Sequence, residues 1–175
     1  NLKYIWQPYM PMNQDVSIRE LKSLNTIGIY HQGTTTDFLY ESGKIDEIKE
    51  NLKKFRELGV PVGLGTHVPE VIERSEEEGW DVDFYLACMH NARKGREGEP
   101  SGFITGKTKS QLVFYPEDRP VMLETLKKIE KPIIAFKIFG GGQMFLNKTE
   151  EEKRELIKGA YNEVFTALKP NDLAA

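Results

Sequence analysis

The amino-acid sequence predicts a parallel α/β fold of the (β/α)8 barrel type. Short apolar segments alternate with amphipathic segments along the 175 residues, a pattern typical of parallel strands joined by crossover helices. Polar residues recur where the strands end, and no G-x-G-x-x-G motif follows a first strand, although an open dinucleotide-binding sheet usually carries one. A complete barrel takes about 250 residues. We therefore expect residues 1–175 to be one barrel domain that is incomplete at both ends or lacks internal segments.

Five apolar segments have the length and composition of strands. The run Thr26–His31 is short and uncharged, as expected of a strand that is buried on both faces of a parallel sheet. The same pattern predicts the remaining strands at 4–10, 60–67, 82–90 and 133–139. The last residues, 172–175, read as the start of a further strand.

The predicted helices follow from the spacing of apolar residues. Ile45, Ile48, Leu52 and Phe55 recur at steps of three and four, which places them on one face. We expect Ser42 to cap this helix and Gly59 to end it, Pro69 to begin the next helix, and Gly79 to stop that one. Further helices are expected near 18–22, from Pro120 to Ile129, and after Thr149, where Thr149-Glu150-Glu151-Glu152 is a capping box.

Composition narrows the classes of partner and location. A net charge of -3 and a pI of about 5.7 disfavour nucleic acid and anionic membrane surfaces as partners. No uncharged stretch is long enough to cross a bilayer. Cys88 has no second cysteine to pair with, which favours the reducing cytoplasm. A small molecule is the expected partner, and the sequence leaves the oligomeric state open.

Candidate functional residues stand at the carboxyl ends of four successive predicted strands, where barrel proteins bind their ligands. They are His31, His67, His90 and Lys137. We interpret His31 as catalytic in preference to a packing role, whereas His67 could equally cap the helix begun by Pro69, and His90 is equally open. Cys88 is interpreted as a small buried apolar residue.

Lys137 is the strongest candidate, because it interrupts the apolar run 133–139. A buried ammonium group is costly unless it is paired or loses its proton, and barrel enzymes use such lysines to form Schiff bases, donate protons or hold anions. Alternation along the strand predicts that Lys137 points toward the barrel axis, within about 10 Å of His31 or His67. Replacement by Met should abolish binding or turnover.

Two further segments accompany this lysine. Gly140, Gly141 and Gly142 allow close approach of the backbone to a ligand, and their amides could cradle an anion. The polar stretch that follows His90 carries basic residues that could close over an anionic ligand, and we expect residues 92–109 to be the most mobile part of the chain. Its cations are Arg93, Lys94, Arg96, Lys107 and Lys109.

The order of these motifs resembles the second half of the aldo/keto reductases. The resemblance rests on Tyr30-His31 after a short strand, on the run 62–72 with Thr66-His67, on His90-Asn91, and on the run 134–142 with Lys137. It spans about residues 26 to 145. The sequence also resembles an uncharacterised group of barrel proteins that share the A-F-K strand and the G-x-x-T/S-H turn.

The first resemblance implies reduction of a small, anionic carbonyl compound with NADPH. On that basis His31 would polarise the carbonyl, Thr66 and His67 would stand where the family holds the nicotinamide amide, and His90 where it stacks a tyrosine. The family's other catalytic residues precede this part of the barrel. Lys137 and the glycine run would hold the negative end of the ligand.

Two alternatives belong to other classes. His31, His67 and His90 could be the ligands of a divalent metal ion in a hydrolase, lyase or isomerase, since three imidazoles with one open position suit zinc. A barrel that binds a small ligand without turning it over is the other alternative.

Overall fold

The computed structural model describes residues 2–8, 20–21, 24–91 and 117–175. Six strands within these residues form one sheet in the order β1 to β6, and every neighbouring pair is parallel. They are β1 (Tyr4–Trp6), β2 (Thr26–His31), β3 (Val62–Thr66), β4 (Phe84–Cys88), β5 (Ile133–Phe136) and β6 (Leu173–Ala174). A sheet whose spatial order equals its chain order is wound in one direction, as in a (β/α)8 barrel. The predicted fold class is confirmed.

Five helices and one 3-10 segment join the described strands. They are α1 (Gly33–Glu41), α2 (Ile45–Arg56), α3 (Pro69–Glu77), α4 (Asp118–Leu126), the 3-10 segment Gly140–Phe145, and α5 (Glu150–Ala167). The capping box of α5 is confirmed: the Thr149 hydroxyl accepts from the Glu152 amide, and the Glu152 carboxylate accepts from the Thr149 amide. None of the helices in this described part is long and apolar enough to cross a membrane.

The core lies between the sheet and the helices. Ile29, Leu64 and Tyr85 are fully buried on the strands, and the Tyr85 hydroxyl hydrogen-bonds Ser75 of α3. The helices contribute the apolar face predicted from their spacing, including Ile48, Leu52 and Phe55. Alternate strand residues therefore face the helices, and the residues between them face the opposite side of the sheet.

Several predicted boundaries differ from the structure, and helix α1 was not predicted. No clear periodicity in the sequence indicates α1, and Ser42 ends that helix instead of capping α2, whose N-cap is Lys44. Strand β5 stops at Phe136, so Lys137 follows the strand. Most of the helix expected near 18–22 lies outside the described residues, as does all of the segment 92–109.

Candidate functional site

Helix α1 carries the group around which the site is built. Its Asp37 is fully buried, although it is a charged residue. The Asp37 carboxylate accepts hydrogen bonds from the Thr66 hydroxyl, from the His67 backbone amide, and from Nδ1 of the His67 ring at 2.7 Å. A buried carboxylate needs partners of this kind to offset the loss of hydration.

Two glycines allow α1 to approach β3 closely enough for these bonds. A Cβ atom on Gly65 would lie 3.0 Å from the His31 carbonyl oxygen and 3.1 Å from the Gly33 nitrogen. A Cβ atom on Gly33, the first residue of α1, would lie 3.3 Å from the Thr66 nitrogen. All three distances are shorter than ordinary contacts. Larger residues would push α1 away from the strand end and carry Asp37 with it.

His67 is buried at the carboxyl end of β3 and makes contacts through both ring nitrogens. Nδ1 faces Asp37, and Nε2 lies 3.1 Å from Lys137 Nζ. Burial lowers the pKa of His67, but the hydrogen bonds and charges of Asp37 and Cys88 outweigh it and raise the pKa to about 9. One proton at most can lie between Nε2 and Nζ, because two protonated nitrogens would repel each other at this distance.

The Lys137 side chain lies beside His67 because of a backbone turn, and not because of its position within a strand as the sequence predicts. The alternation along β5 places Ile133 and Ala135 in the core, and Ile134 and Phe136 on the other face. Lys137 would therefore point to the helices if the strand continued. Instead its backbone turns left-handed, with φ 55°. The prediction that Lys137 is buried within a strand is wrong, because it is exposed beyond the strand end.

His31 lies away from this cluster. Its ring is fully buried on the helix side of β2, and its centroid is 6.1 Å from that of the Phe55 ring. Nδ1 donates to the Thr36 hydroxyl at 2.8 Å, because that hydroxyl already donates to the Gln32 carbonyl. Nε2 accepts from the Asn51 amide at 3.2 Å. Burial lowers the pKa of His31 to about 4, so the ring is neutral. This placement does not support the predicted catalytic role.

His90 is buried, and its Nε2 lies 3.4 Å from the Ile138 carbonyl oxygen. Among the described residues no group of three or more His, Cys, Asp or Glu side chains converges as a metal site would require. The three histidines therefore share no centre there. The Thr66 hydroxyl, predicted to hold a nicotinamide amide, is already bonded to Asp37 and to the Val68 carbonyl.

The glycine run follows Lys137 as a tight turn. Gly140, Gly141 and Gly142 all have positive φ values, which other residues adopt at a cost. The Gly140 amide donates to the Lys137 carbonyl and the Gly142 amide to the Phe139 carbonyl. Gly141 and Gly142 line a cavity of about 230 Å³ together with Lys137 and Tyr161. That these glycines hold an anion stays a prediction.

Two residues of the cluster escaped the sequence analysis or were interpreted differently. Asp37 falls in a segment without a clear helical pattern, and its only signal was an acidic residue soon after a strand-end histidine. Cys88 was interpreted as an apolar residue. It is fully buried, but it also helps to raise the pKa of His67. Asp83, which had no assignment, pairs with Arg56 and accepts from the Val62 amide.

No family model matches the chain, and neither does any curated protein. Among solved structures, the chain is similar to a crystal structure of dihydropteroate synthase from Thermus thermophilus in complex with 6HMPPP. The two share 13% identity, the match covers 98% of this chain and 85% of the synthase chain, and the TM-score is 0.33. A likeness at this level does not indicate a shared reaction. The comparisons give the aldo/keto reductase resemblance no support.

Proposed function

We propose that this protein is a barrel enzyme in which Lys137 forms a Schiff base with a small, anionic carbonyl compound. The observation that carries the proposal is the 3.1 Å contact between Lys137 Nζ and Nε2 of a histidine whose other nitrogen is held by a buried carboxylate. When the His67 ring carries the shared proton, Nε2–H donates to Nζ. The lysine nitrogen then keeps its lone pair and can act as a nucleophile.

The reaction needs a base and an acid at the same place. Nζ adds to the carbonyl carbon, and the carbonyl oxygen takes up the proton that Nε2 donates, which gives a carbinolamine. His67 passes one of the two nitrogen protons to the hydroxyl group, which leaves as water, and then takes up the second nitrogen proton, which gives the imine. Asp37 fixes the ring so that Nε2 always faces Nζ, and its charge stabilises the imidazolium form. The cavity of about 230 Å³ beside Lys137 has room for a small ligand.

Borohydride trapping tests the proposal. The protein is incubated with pyruvate or glyoxylate, reduced with sodium borohydride, and examined by intact mass and peptide mapping. We expect one reduced adduct on Lys137. Lys137→Met should remove it, while Lys148→Met, which changes an exposed lysine just beyond the glycine run, should leave it unchanged. His67→Gln should slow trapping by about a hundredfold to ten-thousandfold, the range of one lost acid–base group.

An adduct that spreads evenly over surface lysines, and that survives Lys137→Met, would refute the proposal. Reduction with NADPH, which the resemblance implies, stays a second prediction, and oxidation of NADPH by the same carbonyl compounds tests it separately. A divalent metal ion likewise stays a prediction, and metal analysis of the purified protein tests it.

A further inference from the structure

A second cavity borders His67 on a side that does not include Lys137. It is a cleft of about 150 Å³ lined by His67, Glu70, Cys88 and Asp118, among others. Cys88 lies on its wall with 0% of the residue exposed. His67 lines this cleft, whereas Lys137, whose Nζ lies 3.1 Å from Nε2 of His67, lines the other cavity.

The strand register brings the thiol and the imidazole together. Thr66 of β3 pairs with Ala87 of β4, so His67 and Cys88, one residue further on, are neighbours on strands about 4.8 Å apart. Cys88 and His67 both line the cleft, and Asp37 holds Nδ1 of the His67 ring. A thiol, an imidazole and a carboxylate in this order form the arrangement in which an imidazole takes the proton of a thiol.

We propose that Cys88 is a nucleophile for a small electrophile that enters this cleft, with His67 as its base and Asp37 as the residue that orients the base. The step uses the fraction of the protein in which the His67 ring is neutral: with an aldehyde, Sγ bonds to the carbonyl carbon while the thiol proton passes to His67. The carbonyl oxygen then takes that proton back, and the product is a hemithioacetal. No bond to a leaving group breaks, and no oxidant is needed. The exposed Lys137 ammonium can swing away from Nε2 to make room for the thiol proton.

The charges of the cleft indicate which ligands it takes. Glu70 and Asp118 contribute carboxylates to its lining, and Asp118 also accepts from the Asn91 backbone amide at 3.0 Å. The cation beside His67, Lys137, lines the other cavity. We therefore expect neutral or cationic electrophiles to react here, in contrast to the anionic compounds proposed for Lys137. This inference shares His67 with the proposed function but needs no imine.

Modification of the native protein with two matched reagents tests the inference. 2-Aminoethyl methanethiosulfonate is cationic and 2-sulfonatoethyl methanethiosulfonate is anionic, and each forms a disulfide with a thiol and releases methanesulfinate. The chain has one cysteine, so intact mass reports Cys88 alone. We expect the cationic reagent to react about tenfold faster than the anionic one, after both rates are divided by those of a free thiol. Glu70→Gln should reduce this ratio.

His67→Gln should slow both reagents by about tenfold or more, because the thiol loses its base. Glu70 is exposed, so Glu70→Gln keeps the fold and the charge comparison stands even if His67→Gln does not fold. The inference fails if modification requires global unfolding, so that its rate follows the urea dependence of unfolding. It also fails if folded His67→Gln reacts as fast as the wild type, or if the anionic reagent is the faster one. Borohydride trapping on Lys137 alongside an unreactive Cys88 would overturn this inference alone.

Discussion

Asp37→Asn removes the charge of the buried carboxylate while leaving a side chain of the same shape whose carbonyl oxygen can still accept from Nδ1 of His67. Wild-type His67 has a pKa raised from 6.5 to about 9, with Asp37 as the main group that opposes burial. Each unit of pKa corresponds to about 1.4 kcal/mol. The preference of the folded state for imidazolium therefore contributes about 3 kcal/mol to the free energy of unfolding.

The direction of the pH dependence follows from the pKa of His67 in the two states, which is 6.5 in the unfolded chain and about 9 in the folded protein. Below 6.5 the ring is protonated in both states, and the contribution of His67 is fully present. Between 6.5 and about 9 the unfolded chain loses the proton while the folded protein keeps it, so stability falls as pH rises. In Asp37→Asn burial dominates and the pKa returns to 6.5 or below, so this fall disappears.

Urea unfolding at about pH 6 and about pH 10 measures the effect. Wild type should lose about 3 kcal/mol more than Asp37→Asn between the two values. Tyrosines and lysines that titrate in the same pH range are present in both proteins, so their contributions to the pH dependence cancel in the comparison. An NMR titration of the His67 ring gives the pKa directly. Equal losses in the two proteins, or a wild-type midpoint near 6.5, would refute the reasoning.

Two further predictions concern other parts of the fold. Burial lowers the pKa of His31 from 6.5 to about 4, so the unfolded chain takes up a proton before the folded protein does as pH falls. The free energy of unfolding should therefore drop by about 3 kcal/mol between pH 6.5 and about pH 4. Urea unfolding of wild type and His31→Gln checks this, and a variant as acid-sensitive as wild type would contradict it. Gly63→Ala should destabilise by about 1–3 kcal/mol, because its Cβ atom would lie 2.5 Å from the Phe84 ring. In the matched control Gly159→Ala, inside α5, the added Cβ atom would meet no other atom within 4 Å. This change should stabilise the protein by about 0.5–1 kcal/mol. Thermal unfolding that finds Gly63→Ala more stable than Gly159→Ala would contradict this prediction.

His31 and His67 are the two histidines whose environments differ most from what the sequence pattern predicts. Both end apolar segments, and the sequence pattern does not distinguish them. In the structure His31 is the last residue of its strand and faces the helices, while His67 lies one residue beyond its strand and meets Lys137. Because side chains alternate along a strand, a boundary uncertain by one residue exchanges the two faces. Sequence patterns rarely define boundaries to that precision.

The amino-acid sequence by itself determined that strands and helices alternate and that the strands run parallel in chain order, because apolar periodicity and the handedness of crossovers leave few other arrangements. It also placed Lys137 within about 10 Å of His31 or His67, without deciding between the two histidines. The tertiary structure alone decided which groups act together. Asp37 joins the site because Gly33 and Gly65 let α1 approach β3, and Lys137 joins it through a left-handed turn, since alternation along β5 would have pointed it toward the helices. Both effects depend on short-range packing and backbone geometry between segments that are distant in sequence. The pattern of any one segment therefore does not predict them.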